Sequence, residues 1–281
     1  MSKVLVTESY LSDIADAIRT KSGGGTTYKP SEMAQGILDI PSGGGWTTDG
    51  IASGAEPNGD IEINANGDIT TIALRAFGNK RITSVTIHGT PYIGNYAFTE
   101  TSLTQVSMPD MVQLKSSYYS VSGYIFSRCT SLTAVNAPNL QIGGTYTFQN
   151  CTALNGLVLP SLKEAPSNMC VGAGLQYADF GNSGMTTDQW LRIQAFNSCS
   201  NLTVLVLRAP FVARLENISA FQSTPFASGK TGGTLYVPSS LVSSYQSATN
   251  WSTILSYTNN QILPIEGSYY ETHYADGTEI L

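Results

Sequence analysis

The feature that most constrains this chain is a recurring phrase, seen most fully in Phe148 to Pro160, FQNCTALNGLVLP. Phe77, Phe98, Phe126, Phe148 and Phe196 each open a similar phrase, and Met169 stands in for phenylalanine once. Five or six residues later comes a branched apolar residue: Ile82, Leu103, Leu132, Leu154, Leu175 and Leu202. Three residues on stand Val85, Val106, Val135, Leu157, Ala178 and Leu205, and two further on Ile87, Met108, Ala137, Leu159, Phe180 and Leu207. The leucine positions are 21, 29, 22, 21 and 27 residues apart. Self-similarity with a period of about 20–29 residues is the signature of a stacked-coil solenoid.

The spacing has a physical cause. In L-x-x-V-x-L the last two apolar positions are two apart, so they share one face of a short strand. The leucine sits on the bend into that strand, and the phenylalanine fills the opposite wall of the coil. A single coil buries too few side chains to offset the entropy of ordering its backbone. It is stable only against its neighbours, and stability becomes a nearest-neighbour sum. Pro109, Pro138 and Pro160 lack an N–H and end the ladder at a corner.

The phrases AFTETSLTQVSMP (97–109), IFSRCTSLTAVNAP (125–138) and TFQNCTALNGLVLP (147–160) resemble BspA-type leucine-rich repeats. The resemblance covers about 69–238. It weakens at the fifth coil, where Met169 and Ala178 replace larger residues and Gly181 replaces the proline, and again after 208. It implies an α+β repeat fold: a β-solenoid over 69–238 whose core holds the phenylalanine and leucine columns. The stretches LYVP (235–238), SSLVSSYQSATNW (239–251) and QILPI (261–265) are similar to the helix-and-strand cap that follows such repeats, placing a cap at 239–266. Leu241, Val242, Tyr245 and Trp251 are expected on the apolar side of one helix capped by Ser239 or Ser240. The tail, 267–281, is aromatic and polar; it is expected to form a hairpin around Asp276-Gly277 or to lie on a partner.

At the other end, Tyr10, Leu11, Ile14, Ala15 and Ile18 follow helical spacing, Gly23-Gly24-Gly25 ends that helix, and Pro30 lies in the first turn of a second. The stretch LSDIADAIRTKSGGGTTYKPSEMAQGI (11–37) resembles a small module on tail and baseplate-associated proteins of phages that infect Gram-positive bacteria. That resemblance implies an attachment module over 1–42. A glycine-rich linker and lead-in strands fill 43–68, with Asn58-Gly59-Asp60 and Asn66-Gly67-Asp68 read as turns rather than calcium ligands. Two coils carry insertions, KSSYYSVSGY (115–124) and GNSGMTTDQWLR (181–192), the second with a short helix expected from Thr186 or Thr187. Insertions leave a solenoid as loops and carry binding residues.

Several chemistries have no foothold. The net charge is −6 with 14 basic residues and no basic run, which argues against nucleic acid. No stretch reaches the roughly 20 apolar residues of a membrane span, and MSKVLVTESY lacks the apolar core of a signal peptide. The protein is therefore expected to be made in a cytoplasm and to leave by lysis or within a particle. Cys129, Cys151 and Cys199 each fall three after a column phenylalanine and read as a ladder of small buried residues, with Cys170 off that register. No CxxC occurs, and the only histidines are His88 and His273, so neither zinc nor another cofactor is expected. Glu164, Asp179 and Asp188 are scattered acids without acid–base spacing, no phosphate loop follows either glycine triplet, and no catalytic residue is assigned.

The binding case rests on aromatics, which give rigid contact area with a polar tip. Tyr118, Tyr119 and Tyr124 in the first insertion, with Trp190 in the second, are the candidate ligand-binding residues; Tyr96 and Tyr146 are expected to pack between coils. The resemblances imply a receptor-binding protein of a phage tail tip or baseplate. Residues 1–42 would hold it to other tail proteins, and the repeat face would bind a bacterial surface glycan or protein without covalent chemistry. A homo-oligomer is expected, a trimer being the natural form of a fibre-like protein, although no heptad supports one. The alternatives are a structural or decoration subunit of the virion and a bacterial BspA-like surface adhesin.

Overall fold

The two-residue alternation that places Val85 and Ile87 inside and Ser84 and Thr86 outside is repeated rung after rung. The computed structural model describes residues 58–65, 71–114 and 123–280. Their strands, in chain order, are β1 (Asn58–Asn64), β2 (Thr71–Ile72), β3 (Arg81–His88), β4 (Tyr92–Ile93), β5 (Gln105–Ser107), β6 (Ala134–Asn136) and β7 (Gly156–Leu159). There follow β8 (Glu164–Ala165), β9 (Tyr177–Phe180), β10 (Trp190–Leu191), β11 (Val204–Leu207), β12 (Arg214–Leu215), β13 (Thr234–Val237) and β14 (Gln261–Pro264). Together they form a parallel β-solenoid of about eight turns.

Each turn has three walls. The strand wall consists of two parallel sheets, β1-β3-β5-β6 and β7-β9-β11-β13-β14. In the first, Val85, Val106 and Val135 are in register; in the second, Leu157, Ala178, Leu205, Leu235 and Ile262 are. The second wall is the pair β2-β4, the trio β8-β10-β12, and single bridges from Gln113 to Ile142 and from Ile142 to Glu164. The third wall is a stack of tight turns joined by main-chain hydrogen bonds, such as Phe98 N–H to the Ile125 carbonyl and Phe126 N–H to that of Thr147.

That third wall carries the phenylalanine column. Phe77, Phe98, Phe126 and Phe148 stack face to face with centroids 5.0, 5.3 and 5.9 Å apart. The order resumes with Phe180, Phe196 and Phe221. Leu103, Leu132, Leu154, Leu175 and Leu202 are fully buried behind it. Six successive turns, those of Phe77 to Phe196, have two left-handed corners each, two residues before and two after the column position. Non-glycine residues occupy most of them, at a cost of about 1–2 kcal/mol each, and hydrogen bonds to the next coil hold them there.

Four expectations are corrected. The column position of the fifth coil is Cys170, not Met169. The flanking left-handed residues are Asn168 and Gly172, and Phe148 N–H bonds to the Met169 carbonyl as Phe126 N–H bonds to that of Thr147. Cys170 is thus on the phenylalanine register, and the larger Phe180 of β9 fills the space that a thiol leaves. Residues 181–189 form turns and bends, not a helix, and lead into β10. The helix expected over 239–251 is a 3₁₀ turn (Ser239–Leu241), α1 (Val242–Ser247) and α2 (Trp251–Ser256), broken at 248–250, and no serine side chain caps the start. Asn58-Gly59-Asp60 is no free turn but the bulged start of β1, a full rung paired with β3. Asn66-Gly67-Asp68, the helical hairpin of 1–42 and most of the 43–68 linker lie outside the described residues.

Candidate functional site

The sequence-derived candidates separate. Tyr118 and Tyr119 lie outside the described residues. Tyr124 does not stand in an exposed loop. It occupies a left-handed corner (φ 58°) and stacks between Tyr96 and Tyr146, with centroids 4.7 and 4.4 Å away. All three are half-buried, so Tyr96 and Tyr146 do not enter the core, and Arg75 lies 5.2 Å from the Tyr96 ring. Burial raises the Tyr124 phenol above its ordinary value, and the neighbouring phenols Tyr146 and Tyr96 raise it further. The guanidinium groups of Arg192 and Arg214 lie over the Trp190 ring, 4.2 and 5.0 Å from its centroid. Tyr124 has a ring stacked on each side, Tyr96 packs against Tyr124 and Arg75, and Trp190 carries two cation–π contacts.

The strand wall offers more. Its outward side chains run in two rows across successive rungs. One row joins Ser84, Gln105 and Ala134; the other joins Thr86, Ser107 and Asn136. Beyond β6 the rows resume as Gly156, Tyr177, Val204 and Thr234, and as Val158, Asp179, Val206 and Tyr236. Over β9, β11 and β13 these side chains are covered by the tail. A 3₁₀ turn at Tyr269–Glu271 follows Ser268, and a tight loop around Asp276-Gly277 is closed by a bridge between His273 and Glu279. The expected hairpin is therefore present, folded back on its own solenoid.

A buried ion pair pins it. Arg208 donates from Nε and Nη2 to the two Asp179 oxygens at 2.7 and 2.8 Å. The same guanidinium donates to the Tyr270 and His273 carbonyls, and the Ala275 N–H donates to Asp179. Asp179 is fully buried; desolvation pushes its carboxyl above the usual range, and Arg208 opposes that shift. The sequence reading left Asp179 among scattered acids. The available signal was an acid at an outward strand position with an arginine one coil later, 29 residues on.

Where the tail ends, a groove of about 690 Å³ opens over β3, β5, β6 and β7. Tyr177, Tyr274, Asp276 and Thr278 bound it. Its floor crosses the gap between the two sheets, since β6 and β7 share no ladder. Gly156 lets the Tyr177 phenol ring come down on the strand there; a Cβ would push that ring aside. Burial raises the Tyr177 phenol, and the nearby Asp276 adds to the shift.

The thiols offer no chemistry. Cys129, Cys151, Cys170 and Cys199 are buried and unbridged. Cys129, Cys151 and Cys199 donate to the carbonyls of Phe98, Phe126 and Cys170 in the preceding coil. Burial pushes Cys199 up to about 12, far from the thiolate that reactivity needs. His88 is paired with Glu62 at 2.9 Å, and His273 stacks on Tyr269. Among the described residues no cluster of histidine, cysteine and acidic groups could hold a metal, and no helix is long and apolar enough to cross a membrane.

Comparison with known families found one match. A model described as a BspA type leucine rich repeat region, in six copies, matches residues 70–203 and 120–243. No significant match was found among curated proteins.

Proposed function

Because the chain belongs to the BspA-type leucine-rich-repeat family, we propose that it is a non-catalytic binding protein that holds a macromolecule of a cell surface on its strand wall. The observation that carries this reading is the uncovered half of that wall. Ser84, Thr86, Gln105, Ser107 and Asn136 present hydroxyls and amides in register on adjacent rungs, beside a groove. Repeats of this family support an adhesin-type, surface-binding role.

The finer reading is a receptor-binding protein of a phage tail tip or baseplate, located in the virion and made in the host cytoplasm. Its support is the resemblance of 11–37 to tail-associated modules. Residues 1–42 attach to other tail proteins, and the ligand is a bacterial surface glycan or protein. Several copies per particle, as a homo-oligomer, raise weak single contacts to useful avidity. No catalysis, cofactor, nucleic acid or membrane insertion is part of the proposal. The fluorescently labelled full chain should stain bacterial cells saturably. Absence of staining, with retained binding to particles that lack the protein, would overturn the reading in favour of a structural subunit.

A further inference from the structure

We infer that the groove between the open strand wall and the tail loop binds a neutral saccharide chain; this rests on the surface-binding reading and supplies its ligand class. The first argument is the chemistry of the lining. Thr86, Gln105, Ser107 and Asn136 carry groups that both donate and accept hydrogen bonds, as sugar hydroxyls require. Among the described residues neither lysine nor arginine lines the groove, and the one carboxylate that does is Asp276. A polyanion would meet a carboxylate with no cation to receive it, whereas Asp276 can accept from paired sugar hydroxyls.

The second argument is shape. The floor presents small side chains rather than the pockets that recognise peptide side chains. The volume of about 690 Å³ lies within the range of roughly 300–1,000 Å³ usual for ligand clefts. The Tyr177 ring closes on Gly156, and Tyr274 lines the groove from the tail with Arg208 5.0 Å from its ring. Together they supply the aromatic surface against which the C–H face of a pyranose packs.

The third argument is period. Parallel rungs lie about 4.8 Å apart, close to the length of one sugar ring in a linear chain. A chain lying across the strands therefore meets the same outward positions at each residue. The break between β6 and β7 falls in mid-groove, where the facing strand edges are not joined to each other and offer main-chain groups as well.

The test uses the full chain on an immobilised array of neutral tetrasaccharides (glucan, galactan, mannan and N-acetylglucosamine chains) beside heparin fragments and polyglycerol phosphate. Retained tetramers are then titrated calorimetrically. At least one neutral tetramer should be retained and neither polyanion. Ala134→Trp, which fills the floor from an exposed position, should weaken binding at least tenfold, and Tyr274→Ala should do so without blocking the groove. Thr253→Trp, exposed on α2, should bind as the unaltered chain does. Failure to retain any neutral tetramer, or undiminished binding by both groove variants, overturns the inference. Cells that stain while every neutral tetramer is refused leave surface binding standing with a protein as ligand; cells that do not stain remove both.

Discussion

The two halves of the strand wall share a backbone and differ in what lies on it. Over β3, β5 and β6 the outward side chains are uncharged, polar except for Ala134, and uncovered by the tail. Over β9, β11 and β13 they include Asp179, Val206 and Tyr236; the first two are buried, and the tail bonds to Asp179 and packs Tyr270 against Tyr236. The core beneath changes at the same place. Under the open half the phenylalanine column is continuous, and under the start of the covered half Cys170 interrupts it and Phe180 fills in. A solenoid therefore need not be uniform to stack. The ladder fixes the spacing, and each rung is free to specialise its outer face provided that its inner volume is conserved.

The comparison can be broken most forcefully at the staple. Arg208→Met leaves Asp179 buried without its cation, and removing one partner of a buried pair costs about 3–5 kcal/mol. Thermal unfolding should shift down sharply, and the tail should become protease-sensitive first. A normal melting point would show that the covered half does not depend on the pair. The next effect lies in the core. Cys170→Phe restores the column but overpacks a site Phe180 has filled, costing about 1–3 kcal/mol. Phe180→Leu alone leaves a cavity there, and the double variant should be more stable than the two single losses predict when added. Additive losses in denaturant unfolding would show that the two side chains do not share one space.

The smallest effect sharpens the open half. Asp60 accepts from the Thr83 and Ser84 hydroxyls at 2.9 and 2.7 Å. Ser84 and then Thr83 hold its carboxyl below the ordinary value. A depressed carboxyl contributes stability that is present above the unfolded-state value of about 3.9 and is lost as pH falls through the folded-state value. Protection factors at Ile61 and Ile63, taken relative to the intrinsic exchange rate at each pH, should therefore fall selectively in acid. Asp60→Asn should remove that pH dependence; if the dependence persists, Asp60 is not its source.

The ladder was legible because repetition multiplies a weak signal. No single L-x-x-V-x-L is informative, but six in step leave little choice, and the buried leucine column follows. The fifth coil was misread because Met169 is large and apolar and Cys170 is not. A sequence shows size at one position, whereas the fold conserves volume across two, here Cys170 and Phe180. The helix over 239–251 was overextended because its apolar spacing continues through a break at 248–250 that no proline or glycine marks. The groove was not legible at all. It depends on where the tail lands, and that is set by Asp179 and Arg208, which the chain separates by 29 residues and the stack brings together. The tyrosines draw attention by their number, yet Tyr96, Tyr124 and Tyr146 form one stack, with Tyr124 enclosed between the other two.

The gap between β6 and β7 has a mechanical meaning. On the strand side no ladder joins β6 to β7, although the two strands are neighbours, while the turn wall is stitched across the same level by Phe126 N–H to Thr147, and the short-strand wall by the bridge from Ile142 to Glu164. At this level the two blocks are therefore held by main-chain bonds in two walls rather than three, and the wall without them is the floor of the groove.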